Sequence, residues 1–145
     1  MVDALSTVKT LLSNGWNSSN TDNITPEINI IYEQKQVSTL DNDHVLIYEV
    51  DEKHDPDGIG GKDYEEGPQV SIDIRTSYKR AAIADIRPHL VKIKDEIIRI
   101  VRVNVSRPDN DYCLIYAIRK KDLSNKTIGM GRMIIDVQLK RWVSL

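Results

Sequence analysis

Between Pro68 and Val101 the hydrophobic period of the chain changes once, and that change limits what it can fold into. Val70, Ile72 and Ile74 alternate with Ser71, Asp73 and Arg75, the period-two pattern of a strand with one buried face. Tyr78, Ala82, Ile86, Leu90, Ile93, Ile97, Ile100 and Val101 follow at helical spacing, which marks a long amphipathic helix. A half-buried strand leading directly into such a helix places the helix on the strand's apolar face. Pro88 lies inside the pattern; it removes one backbone donor and crowds the preceding turn, so one bent helix is expected, with the bend near Arg87. Lys79, Arg80, Arg87, Lys92, Lys94, Asp95, Glu96 and Arg99 fill the remaining positions with both signs, as on a solvated helix face.

The flanking segments add to this unit. Leu5, Val8, Leu11 and Leu12 recur at helical spacing between Asp3, a candidate cap, and Asn14-Gly15, which predicts a short N-terminal helix. Asn17 to Thr25 is polar and reads as a connection closed by Pro26. Ile28 to Tyr32 and His44 to Val50 read as strands of a hairpin whose register is open. Ser106 to Asn110 is a turn. Tyr112 to Ile118 is an apolar strand ending in Arg119-Lys120-Lys121, and a second turn falls at Ser124-Asn125-Lys126. Ile128 to Val143 alternates as a long terminal strand that pairs with its predecessor. The order is α-β-β-β-α-β-β. It implies one α+β domain over residues 1–145, a mostly antiparallel sheet with the long helix and the short N-terminal helix packed on it.

Asp51 to Gly67 holds four glycines, Pro56 and a mixture of charges, and it reads as a long exposed loop. Structureless loops longer than about 12–15 residues are uncommon in compact domains unless they have a function. Asp51, Lys53, His54, Asp55, Asp57, Lys62, Asp63, Tyr64, Glu65 and Glu66 are therefore candidate partner contacts.

The chemistry the chain can support is restricted. Twenty basic residues against 22 acidic ones leave a formal charge of −2, without the basic excess of a dedicated nucleic-acid binder. The single Cys113 excludes an intrachain disulfide and reads as a buried thiol. The first dozen residues lack the pattern of a signal peptide, and no run reaches the about 18 apolar residues of a membrane span; a reducing, cytosol-like site of synthesis is expected. His44, His54 and His89 are not at metal-ligand spacing. Asp55, Asp57 and Gly58 do not complete a calcium loop, because Ile59 stands where an oxygen ligand is needed. Gly58-Ile59-Gly60-Gly61-Lys62 is followed by Asp63 where a phosphate loop needs a hydroxyl, and Pro56 replaces its first glycine. Asp43 with Asp51-Glu52-Lys53 is the one enzymatic candidate, a carboxylate–lysine set of the kind that holds Mg²⁺ in nucleases. Catalysis, metals and cofactors are otherwise not expected.

Val70-Ser71-Ile72-Asp73-Ile74-Arg75-Thr76, the basic-rich helix, Arg119-Lys120-Lys121-Asp122-Leu123-Ser124-Asn125-Lys126 and Ile134-Ile135-Asp136-Val137-Gln138-Leu139 together resemble the tail-terminator and tail-completion (neck) proteins of tailed viruses. The resemblance spans about Ile28 to Leu145 and rests on element order and these strings. It implies a structural virion protein of the tail or neck, assembled in the host cytoplasm. Such a protein forms a ring, usually of six copies, that caps the tail tube and meets the head connector. Its implied partners are copies of itself, the tail tube protein and the neck proteins, with DNA only as passing cargo and no membrane. The segment 51–67 would be the docking loop. Lys79, Arg80, Arg119, Lys120 and Lys121 would face the lumen, and the terminal strand with Arg141 and Trp142 would be a subunit-contact edge. Another neck component, a head-completion protein or stopper, is the alternative, with the nuclease third.

Overall fold

In the computed structural model, residues 3–31, 43–57, 63–77, 83–106, 108, 112–124 and 130–144 are described. The elements are α1 (Ala4–Gly15), a 3₁₀ turn (Ser18–Thr21), β1 (Glu27–Ile30), β2 (His44–Asp57), β3 (Asp63–Ser77), α2 (Ile83–Val103), β4 (Leu114–Asp122) and β5 (Met130–Ser144). The α+β class and the α-β-β-β-α-β-β order are those expected from the sequence. Asp3 caps α1 as its spacing implies, its carboxylate accepting the Ser6 N–H at 2.7 Å; this satisfies one of the donors a helix start leaves open.

The strands lie in the order β1-β2-β3-β5-β4. β2–β3, β3–β5 and β5–β4 are antiparallel, whereas β1 and β2 are parallel, Glu27 opposite His44 and Ile30 opposite Ile47. The hairpin expected of β1 and β2 is thus corrected. Parallel neighbours cannot be joined by a tight turn, so the chain must cross over between them. Residues 32–42, with Tyr32 and Asp41-Asn42, lie outside those described. The terminal strand is also not simply an edge: from Met133 to Lys140 it runs between β3 and β4, while Met130–Arg132 and Arg141–Ser144 extend past the β4 ladder at its two ends.

The segment 51–67, expected as a loop, is mostly paired backbone. β2 and β3 continue in one antiparallel ladder from His44 opposite Arg75 to Asp57 opposite Asp63, and β5 joins the extension with Glu66 opposite Arg141 and Asp63 opposite Ser144. Ladder hydrogen bonds are made by the backbone, so a pairing nucleated by Val45, Ile47, Ile72 and Ile74 extends through residues of poor strand propensity. The extension begins at a bulge between Glu49 and Asp51, a device that bends a strand pair. Residues 58–62, with Lys62, lie outside those described. At the base of the arm a Cβ on Gly67 would fall 2.6 Å from the Leu139 carbonyl oxygen and closer still to the Gln138 amide, so only glycine fits there.

Both helices cover the same face of the sheet. Rows of apolar residues cross its middle strands: Val45, Ile74 and Met133 in one, Ile47, Ile72 and Ile135 in the next, then Val70 and Val137. All are buried, as are Ile86, Leu90, Ile93, Ile97 and Ile100 along α2 and Leu5, Val8 and Leu12 along α1. Fully burying one such side chain is worth about 1.5–3 kcal/mol. Gly131 lets α2 approach closely, since a Cβ there would meet Leu90 Cδ1 at 2.8 Å. Pro88 lies within α2, which remains one helix.

Glu96 departs from the solvated face assigned to it. It is 2% exposed, because it pins the turn after α1 onto α2: it accepts from Asn17 N at 2.6 Å, Asn20 Nδ2 at 2.9 Å and Arg99 Nε at 2.5 Å, while Arg99 Nη2 also reaches Gly15 O at 2.6 Å. Burial pushes the Glu96 carboxyl up, but the bonds from Arg99, Asn17 and Asn20 outweigh it and hold the group below its ordinary range. A carboxylate whose folded pKa is lowered stabilises the fold above its unfolded pKa, and that stability is lost as pH falls through the folded value. Glu96→Gln should therefore lower stability at neutral pH by about 2 kcal/mol and flatten the acid limb of Tm against pH. Thermal melts from neutral into acid check this; parallel curves for variant and parent would contradict it.

Candidate functional site

The helix-free face of the sheet carries the densest polar arrangement among the described residues. Alternation along β2, β3 and β5 forces Tyr48, Ser71, Asp73, Arg75, Arg132 and Asp136 to the side opposite the core. Asp73 is fully buried there without a covering helix. Its two oxygens accept from Tyr48 Oη at 3.2 Å, Arg75 Nε at 3.3 Å and Nη2 at 3.0 Å, and Arg132 Nε at 3.1 Å and Nη2 at 2.9 Å. Those five bonds exhaust a carboxylate, which offers roughly four lone-pair sites. Beside it, Ser71 Oγ donates to Asp136 Oδ1 at 2.5 Å and Arg119 Nε lies 3.3 Å from Asp136 Oδ2. Arg75 and Arg132 are direct cross-strand neighbours, and like charges so placed repel unless a shared counter-charge holds them. Asp73 is that counter-charge. Burial raises the Tyr48 hydroxyl above its usual pKa, reinforced by the negative Asp73 it donates to. Hydrogen bonding to Asp73 raises the Arg132 guanidinium.

A second buried carboxylate, Asp43, stands just before β2. Thr76 Oγ1 donates to its Oδ1, His89 Nε2 lies 2.8 Å from its Oδ2, and its carbonyl accepts from Glu27 N at 2.9 Å. The hydroxyl here is bonded to the carboxylate and not to the imidazole, the reverse of a nucleophile–base–orienter relay. The group joins the start of β2, the end of β3 and α2. The nuclease set is not brought together: Asp51 lies eight residues beyond Asp43 along β2, roughly 26 Å at about 3.3 Å per residue. No cluster of three or more His, Cys, Asp or Glu able to hold a metal occurs among the described residues. An open depression between α2 and β4 has Met133, Ile134 and Ile135 as its floor and Lys94, Lys120, Lys121 and Asp122 at its rim.

The sequence-derived contact residues fall in three places. Asp51, Lys53, His54, Asp55 and Asp57 lie on β2, and Asp63, Tyr64, Glu65 and Glu66 on β3. Arg119, Lys120 and Lys121 are exposed on β4, which is an outer strand of the sheet. Arg141 and Trp142 stand opposite Glu66 and Glu65 on β5. Lys79 and Arg80, like Lys62, lie outside the described residues. Cys113 is half-buried just ahead of β4, its thiol donating to Lys140 O at 3.2 Å. Sequence reading missed the roles of Asp43, Asp73 and Glu96. Asp73 carried a signal, an acidic residue alternating inside the clearest strand with Arg75 two residues on.

No protein-family model matches the chain, and no curated protein matches it. Among solved structures it is similar to a chain of the virion of a native gene transfer agent particle, with a TM-score of 0.53 at 10% identity, over 94% of this chain and 92% of that one. The two share a fold. The likeness spans nearly the full length of both, so the helices and the sheet are matched as one unit.

The polar face makes a direct prediction. Asp73→Asn keeps the size of the side chain but leaves Arg75 and Arg132 facing each other without a counter-charge. It should cost about 2–4 kcal/mol, read as a lower urea midpoint with unchanged slope. A loss below about 0.5 kcal/mol, the range of ordinary surface substitutions, would contradict the role given to Asp73.

Proposed function

We propose that this chain is a structural virion protein of the tail or neck: a ring-forming tail terminator that caps the tail tube and joins it to the head connector, with DNA as passing cargo and no catalytic role. The observation that supports the virion part of this reading is a structural likeness, over nearly the whole length of both chains, to a chain of a gene transfer agent virion; the tail-terminator part follows the resemblance of the sequence strings. The polar chemistry of the fold supports it. The buried carboxylates Asp43, Asp73 and Glu96 are each engaged in bonds that tie one element of the fold to another, which suits a scaffold and leaves no converging set of reactive groups on them. What varies between such scaffolds is their surface, and ring subunits need surfaces that fit their neighbours more than they need pockets.

Light scattering at several concentrations, followed by negative-stain imaging, tests the reading. A closed hollow ring of about six copies, as the family resemblance implies, is the expected species, and it should bind purified tail tubes at their ends. A chain that stays single at every concentration and ignores tube ends would overturn it.

A further inference from the structure

Along the groove between α2 and β4, cations stand beside apolar surface. β4 alternates there, and its alternation is fixed at two points: Arg119 reaches Asp136 on the helix-free face, and Asp122 reaches Arg87 of α2 at 2.5 Å. Lys120 lies between these two in the chain and shares a face with Asp122, so it stands on the helix side. Lys94 follows Arg87 by about two helical turns on the same side of α2. Both lysines line an open depression of about 190 Å³ whose floor includes Met133 and Ile135. The strand ladder sets Asp122 opposite Met133 and Lys120 opposite Ile135, so backbone pairing holds rim and floor in place.

The rim is positive. Asp122, the acid at the rim, is already engaged by Arg87 and by the Ser124 N–H at 2.9 Å. Lys94 lies 3.1 Å from the exposed Asp95, a surface pair of the kind that is worth little. Lys120 and Lys121 are exposed and make no ion pair among the described residues. Exposed aliphatic side chains flank the two in the chain, Ile118 at 44% and Leu123 at 45%. Apolar surface rimmed by polar groups marks contacts between proteins. The phosphates of a nucleic acid would pair with the lysines but would leave the floor, Ile118 and Leu123 without a partner. A protein segment with an aliphatic side chain between carboxylates satisfies both.

We propose that the depression between α2 and β4 docks an acidic segment of a partner protein, whose aliphatic side chain seats over Met133 and Ile135 while its carboxylates meet Lys94 and Lys120. The inference stands apart from the ring reading, because it concerns a second protein whatever the number of copies of this chain. Rim and floor belong to one helix and two paired strands, so the site is formed before its partner arrives, which lowers the ordering cost of binding. Its charge pairs lie at the surface, and the contact weakens with salt.

The test titrates the full chain, labelled with ¹⁵N, with a capped Asp-Glu-Leu-Glu-Asp peptide, with the same peptide carrying Ser in place of Leu, and with a short DNA duplex. Amide shifts should concentrate at Lys94, Lys120–Asp122 and Met133–Ile135, and the Ser peptide should bind about tenfold more weakly or worse. Lys94→Glu with Lys120→Glu should abolish the shifts, since like charges then face each other. Lys9→Glu with Arg102→Glu, the same change in net charge on exposed positions elsewhere, should keep them. Circular dichroism establishes that each form folds; if the reversed form does not, Lys94→Gln with Lys120→Gln replaces it, with a loss of roughly threefold or more. No shift at these amides with peptide at about 1 mM overturns the proposal, as does a Ser peptide that binds as well as the Leu peptide, or a reversed or neutral form that binds as the parent does. A duplex that moves these amides at lower concentration than the peptide also overturns it, in favour of a nucleic-acid contact. None of these outcomes touches the ring reading, which is read from mass.

Discussion

The apolar stripe of α2, from Ile86 through Leu90, Ile93 and Ile97 to Ile100, packs on the Val and Ile rows of β3 and β5, and the rest of the molecule is arranged around that contact. Strand and helix periods meet there: residues two apart on β3 and three or four apart on α2 are brought to one plane. Gly131 admits the helix at close range, and α1 fills the space beside it over β1 and β2. Since both helices take the same face, the opposite face has to be stabilised without an apolar cover.

Asp73 solves part of that problem by gathering Tyr48, Arg75 and Arg132 over the sheet, and Asp136 repeats the arrangement with Ser71 and Arg119. Charges held this way close the face at some cost in desolvation but tie three strands in one register, since a slip by one residue would strand an arginine against the core. Past Gly67 the ladder is continued by backbone pairing.

Elements governed by side-chain period were legible in the sequence: the alternation around Ile72, the stripe of α2, the Asp3 cap and the long terminal strand. Features governed by backbone pairing or by distant partners were not. Asp51 to Gly67 has the glycine, proline and acid of a loop, and nothing local reveals that β5 will supply it with a third strand. The parallel pairing of β1 depends on a crossover, and the interior place of β5 depends on topology. Glu96 looks like any charge on an amphipathic helix until Asn17, Asn20 and Arg99 converge on it. Of the candidate site, the basic run Arg119 to Lys121 and the acidic run around Asp51 were visible as composition. That the basic run lies on the outer strand β4 and the acidic run on β2, with β3 and β5 between them, became visible only with the strand order.

The packing of α2 on β3 and β5, with buried carboxylates that tie the surrounding elements together, makes a scaffold without a converging set of reactive groups on those carboxylates. Hydrogen–deuterium exchange on the chain, compared between dilute and assembled protein, tests that account most directly. Amides of α2, β3 and β5 should be among the slowest of the described residues in both states, because they flank the buried contact around which the fold is built. Exchange along α2 as fast as in the exposed turns would show that the stripe does not hold the molecule together and would contradict it.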